Sequence, residues 1–411
     1  VYEQREELDL TPEQDKLLED YYKYFVRGGA KLDPGEKAKM GEINEELSVL
    51  SLQFGENILK ETNRFELVIE SEEDLAGLPT AVVQGAAEAA VERGHEGKWV
   101  FTIHKPSMLP FLQYSKQRDL REKIFKAYIN MGNHGDELDN KDIAARVAAL
   151  RVERANLLGY ETYSHYILDE NMAKEPGTVY EFLYRIWTPA LNRAKAEVGM
   201  LQEMIDEEGG DFELEPWDWW YYAEKVKKAK YAIDEEMLRP YFELDNVRRG
   251  AFELATRLYG ITFEERTDLP VYHGDVRTYE VKEADGTHIG ILYTDYYPRA
   301  SKRGGAWMGE YRGQSKPDGR MVTPVITNCG NFSKPTGDQP ALLSLDEVLT
   351  LFHEFGHGLH GLLSECTYEG LSGTNVATDF VELPSQIMEN WVLEPEMLKI
   401  YALHYDCLLY T

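Results

Sequence analysis

Residues 344–362 read SLDEVLTLFHEFGHGLHGL, and this stretch decides how the rest of the chain is read. Ser344 followed three positions later by Glu347 is a capping box, which predicts a helix starting at Leu345. Asp346 and Glu347 also suit the positive end of that helix. Leu345, Val348, Leu349, Phe352, Phe355, Leu359 and Leu362 continue an apolar stripe at helical spacing. On such a helix His353 and His357 are four residues apart. A turn of roughly 400° puts both imidazoles on one face, from which they can reach one ion at roughly 2.0–2.1 Å. Glu354 then stands beside the first histidine, where a carboxylate can address a water on the metal. The competing reading is a chance pentapeptide on a surface helix. The capping box and the apolar flanks oppose it, because they require this helix to be partly buried.

A catalytic zinc usually takes three protein ligands and leaves one position open. His360 is close by, but a third ligand so near on one straight helix strains a tetrahedral site. It reads as a packing or supporting histidine. Glu382 is the better candidate, with enough intervening chain to turn back past Ser372-Gly373-Thr374. Asp379, Glu382, Gln386 and Glu389 recur at helical spacing as an acidic stripe. Phe380, Leu383, Ile387 and Trp391 give the same helix an apolar side, and Pro384 is expected to kink it. A merely solvated acidic face is the alternative.

Outward from this region the chain divides. Residues 1–268 are expected to be a helical region. Thr11-Pro12-Glu13 opens a helix that Gly28-Gly29 stops. Ile43, Leu47, Leu50, Phe54 and Ile58 mark a second helix, residues 116–131 and 140–159 mark others, and residues 99–104 (WVFTIH) suggest a short strand. The aromatic run Pro216–Tyr222 reads as packing at a helix start, with a ligand platform as the other reading. Residues 269–343 form a β-containing segment. Strands are expected at Val271-Tyr272, Arg277–Val281, His288–Tyr293 and Met321–Thr327. Residues 344–411 hold the zinc-binding catalytic helices. The fold class is therefore mainly α, with a small β-sheet beside the helix that carries the chemistry.

Composition narrows the function classes. The formal charge of −29, from 73 acidic and 44 basic residues, repels phosphate backbones and anionic membranes, so neither nucleic acid nor membrane is an expected partner. Solubility is the plain consequence of that charge; steering of cationic substrates is the second reading. The three cysteines, Cys329, Cys366 and Cys407, form no CxxC pair, which favours free thiols and a reducing, cytoplasmic location. No apolar run is long enough for a membrane helix. The chain opens on Val1 within an acidic helical segment, and is expected to be the middle of a longer protein.

LFHEFGHGLHGLL at 351–363 together with FVELPSQIMENW at 380–391 resembles the thimet-oligopeptidase family of zinc peptidases, in particular its peptidyl-dipeptidase branch. The likeness continues through WDWWYYAEKV at 217–226, LRPYFELDNV at 238–247, DYYPRASKRGGAWMG at 295–309 and NFSKPTGDQPALLSLDEV at 331–348. It implies a zincin-like helical ellipsoid with a deep channel that admits short peptides. It implies one zinc ion on His353, His357 and Glu382, with Glu354 as general base. It also implies hydrolysis of short peptides with release of C-terminal dipeptides. Family members continue well past the zinc glutamate, whereas this chain ends at Thr411, 29 residues after Glu382. Their later part carries tyrosine and histidine residues that contact the substrate, so Tyr401, His404 and Tyr405 receive no such role. On this view the 411-residue chain alone binds zinc yet hydrolyses peptides weakly, and a separate C-terminal segment is a candidate partner. The residue readings that compete with a peptidase are a metal-dependent peptide binder, which needs no Glu354, and a structural zinc site, which would be closed by four ligands.

Overall fold

The computed structural model describes residues 1–406. The first part of the chain is helical: α1 (Pro12–Arg27), α2 (Pro34–Arg64), α3 (Thr80–Glu92), α4 (Lys105–Tyr114), α5 (Arg118–Ile129), α6 (Lys141–Leu157), α7 (Tyr163–Leu168), α8 (Pro176–Glu207) and α9 (Trp219–Tyr231). Within it a two-stranded antiparallel ribbon joins β1 (Leu67–Ile69) to β2 (Trp99–Phe101). The short α10 (Glu235–Leu238) leads to α11 (Leu244–Tyr259). Then come β3 (Thr262–Glu265), β4 (Arg277–Lys282), β5 (His288–Asp295), β6 (Trp307–Arg312) and β7 (Val325–Cys329). Three helices follow: α12 (Leu345–Leu362), α13 (Glu382–Glu389) and α14 (Pro395–Tyr401). Among the described residues no helix is long and apolar enough to cross a membrane.

The expected helix starts are present. Thr11 caps α1 through a capping box with Gln14, and α1 ends at Gly28. The strand expectations needed more correction. Val271-Tyr272 lies outside any strand, and β7 begins at Val325 rather than Met321. The strand at Trp307–Arg312 was not anticipated at all, because its Gly-rich flanks hide its alternation. The five strands order as β3-β4-β5-β7-β6. β5 and β7 are parallel and the other neighbours antiparallel, so β7 is internal and β3 and β6 are the edges.

α12 lies buried between this sheet and helices α11 and α13. Phe352, Phe355 and Leu359 join Val247 and Leu254 of α11, Val281 and Leu292 of the sheet, and Met388 of α13 in one core. Two glycines allow the close approach. A methyl group at Gly356 would sit 2.7 Å from both the Pro384 carbonyl oxygen and the Ser385 Cα. One at Gly361 would sit 2.7 Å from Met308 Cε of β6. Glycine inside a helix costs about 1 kcal/mol against alanine, and here that cost is offset by packing.

A second core gathers Leu67, Ile69, Phe101, Phe111, Ile124 and Phe125, with Trp217 and Trp220 against it. The aromatic run at 216–222 is therefore packing at a helix start. Its Asp218 is fully buried and accepts from Arg118 at 2.8 Å and from Arg121 at 2.8 Å.

Candidate metal centre

The helix carrying the histidines is fixed at its start. Ser344 Oγ accepts from the Glu347 N–H at 3.1 Å, and the Glu347 carboxylate accepts from the Ser344 N–H at 2.8 Å. Glu235 Oε1, from α10, accepts from the Leu345 N–H. Halfway along, Asn328 of β7 donates from Nδ2 to the Glu354 carbonyl oxygen at 2.7 Å. α12 is thus held at its N-terminus and at the turn that bears the motif.

His353 and His357 share one face, their ring centroids 4.9 Å apart. α13 crosses that face and delivers Glu382 from its first residue. Glu382 Oε2 lies 3.2 Å from His353 Nε2 and 3.1 Å from His357 Nε2. Among the described residues these three form a group whose ligand atoms all lie within 4.8 Å of one another. His360 is not in that group.

The surroundings suit a cation. His353 Nδ1 is 2.6 Å from Glu389 Oε1. A carboxylate only accepts, so His353 Nδ1 carries a proton towards Glu389, which leaves Nε2 as the nitrogen available to a metal on the Glu382 side. Ser385 Oγ donates to Glu382 Oε2 at 2.8 Å and fixes the carboxylate. Burial holds the His357 imidazolium below its ordinary range, against the attraction of Glu382. A neutral imidazole is the form a metal takes. Glu354 is 7 % exposed, and its Oε2 has no hydrogen-bond partner. Burial pushes its pKa up to about 7; His353 opposes the shift and Glu382 adds to it. Two imidazole nitrogens, one carboxylate oxygen and an orphaned buried carboxylate beside them are a donor set that fits a zinc ion with an open side.

Two sequence expectations about α13 are corrected. Pro384 causes no kink, because the helix starts at Glu382 and the proline falls in its first turn, where no N–H is needed. Asp379 is not on the helical stripe. It precedes α13 and accepts backbone N–H groups from Met172 and Ala173. Glu389 was legible only as one more acid on that stripe. Its contact with His353 depends on how two helices cross, which spacing along one helix cannot give.

Residues 111–410 match the family described as Peptidase family M3. The chain belongs to that family. It is 41% identical over 407 residues to the dipeptidyl carboxypeptidase of Escherichia coli (strain K12), covering 99% of this chain and 60% of that protein. It is 40% identical to the oligopeptidase A of Salmonella typhimurium, over 97% of this chain and 59% of that protein. Saccharolysin of Saccharomyces cerevisiae is 30% identical over 95% of this chain. The chain spans about three-fifths of the length of the first two relatives.

The remaining candidates fall elsewhere in this M3 chain. Tyr401 is fully buried, and its hydroxyl donates to the Val392 carbonyl, so it is a core residue. His404 stacks on Tyr405 and meets Tyr241 edge-on. Cys329 and Cys366 are free thiols, the first of them buried, while Cys407 lies outside the described residues.

Proposed function

We propose that this chain carries a zinc peptidase centre in which His353, His357 and Glu382 hold one zinc ion and Glu354 is the general base, acting on short peptides with release of C-terminal dipeptides. The observation that carries the reading is the convergence of His353 Nε2, His357 Nε2 and Glu382 Oε2 beside a buried carboxylate with no partner of its own. Membership of a peptidase family and likeness to a dipeptidyl carboxypeptidase support the substrate class.

Zinc, when bound, supplies Lewis acidity towards a carbonyl oxygen and lowers the pKa of water. The side chains do the rest. Glu389 keeps the proton of His353 on Nδ1, and Ser385 orients the Glu382 carboxylate. Glu354 takes a proton from water and passes it to the leaving amine. Its burial and the absence of a hydrogen-bond partner at Oε2 leave the carboxylate free to take and return that proton. An extended peptide needs a free sheet edge, and β7 cannot offer one because β5 and β6 flank it. The place for such strand addition is therefore β6, the edge strand packed against α12 through Met308 and Gly361.

Product mapping tests this reading. An N-acetylated hexapeptide incubated with the zinc-loaded protein should lose dipeptides successively from its C-terminus, and a chelator should stop the reaction. Trimming by single residues, or cleavage that survives the chelator, would contradict it.

A further inference from the structure

Glu382 is the first residue of an eight-residue helix. Helix ends fray, so a ligand in that position needs support from outside its own helix. The packing of Gly356 against Pro384 and Ser385 supplies it on one side. The turn before the helix receives it from the other half of the molecule. Asn171 Oδ1 accepts from the Thr378 N–H at 2.9 Å. Asp379 accepts with both carboxylate oxygens, from the Met172 N–H at 2.9 Å and the Ala173 N–H at 2.9 Å. Three hydrogen bonds thus tie two consecutive residues, three and four positions ahead of Glu382, to the loop between α7 and α8.

That loop is itself held. Asn171 is 8 % exposed and donates from Nδ2 to the Ile167 carbonyl, closing α7. Lys174 takes a φ of 61° and donates to the Asp169 carbonyl. A left-handed lysine costs of order 1 kcal/mol or more and persists only where the surroundings impose it. The strained residue directly follows Met172 and Ala173, whose N–H groups donate to Asp379.

We infer that Asn171 and Asp379 are positioning residues for Glu382, so that the loop at 169–175 sets how firmly the third ligand is presented to the metal. The inference rests on the reading of Glu382 as a zinc ligand. Its consequence is that zinc affinity depends on a loop in the helical half of the chain, whose Met172 lies 207 residues from Asp379 in sequence.

Zinc affinity of the 411-residue chain, measured by chelator competition, tests it across Asp379→Ala, Asp379→Asn, Asn171→Ala and Glu382→Ala. Two further readouts accompany it: the visible spectrum of the cobalt(II)-substituted protein and the melting temperature of the metal-free protein. Asp379→Ala should weaken zinc about tenfold, the low end of what lost support of a ligand costs, and change the cobalt spectrum. Asp379→Asn keeps one acceptor oxygen and should fall between Asp379→Ala and wild type. Asn171→Ala should weaken zinc in the same direction. A purely structural clamp would lower the metal-free melting temperature, leaving zinc affinity within twofold of wild type and the cobalt spectrum unchanged. That result, alongside a weakened Glu382→Ala, would overturn the positioning role alone. Unchanged affinity in Glu382→Ala would instead remove the ligand assignment, and the clamp's function with it.

Discussion

His353 meets two carboxylates, one on each ring nitrogen: Glu389 at Nδ1 and Glu382 at Nε2. They do different work. Glu389→Gln replaces an obligatory acceptor with an amide that can also donate, and so releases the imidazole tautomer. Zinc dissociation constants should rise about 10–100-fold, as is usual when the hydrogen-bonded partner of a metal histidine is removed. An unchanged constant from chelator titration would mean that His353 is oriented by packing alone. Glu354→Gln changes no metal donor and keeps the side-chain volume. It should retain zinc while kcat falls by about 10²–10⁴-fold, the usual cost of losing a general base. Steady-state kinetics on a dipeptide-releasing substrate, at matched zinc content, checks this. The roles proposed for His353, Glu354, His357 and Glu382 were each legible in the sequence, because helical spacing and the family motif speak directly about them. Glu389 and Asp379 were not, because their partners lie on other elements.

At the scale of elements, the site depends on how closely α12 and α13 approach. Gly356→Ala places a methyl group 2.7 Å from backbone atoms of Pro384 and Ser385, which cannot yield as a side chain could. Overpacking of this kind costs about 1–3 kcal/mol. It should also lower zinc affinity, because α13 carries Glu382. A thermal melt combined with metal titration checks both, and a wild-type result in the two assays would show that the helices adjust freely. α12 itself was fully legible, since its cap, stripe and motif are all local. The sheet was less so. β4 and β5 show clear alternation, whereas β6 has Gly304, Gly305, Gly309 and Gly313 in and around it, and reads as a loop. Its place at an edge follows from long-range pairing with β7, which no local pattern reports.

For the whole molecule, hydrophobicity alone is a poor guide to what holds the fold. α8 exposes Tyr180, Phe182, Leu183, Tyr184 and Trp187, all more than half exposed. Trp187→Gln should therefore change stability by no more than about 0.5 kcal/mol. Asp218, by contrast, is charged and fully buried between Arg118 and Arg121, the latter 1 % exposed. Asp218→Ala leaves a buried guanidinium without its partner and should cost about 3–5 kcal/mol. Chemical denaturation of the two variants gives the comparison, and a larger loss for Trp187→Gln would reverse it. The helical half thus reaches the candidate metal centre through a few specific polar ties, among them Glu235 to Leu345 and Asn171 to Thr378. The measurement that bears most directly on the central claim is the zinc content of the purified chain and two variants after dialysis against a zinc buffer. Wild type and His360→Ala should each hold one zinc per chain, and Glu382→Ala should hold far less. Zinc lost from His360→Ala and kept by Glu382→Ala would contradict the assigned centre.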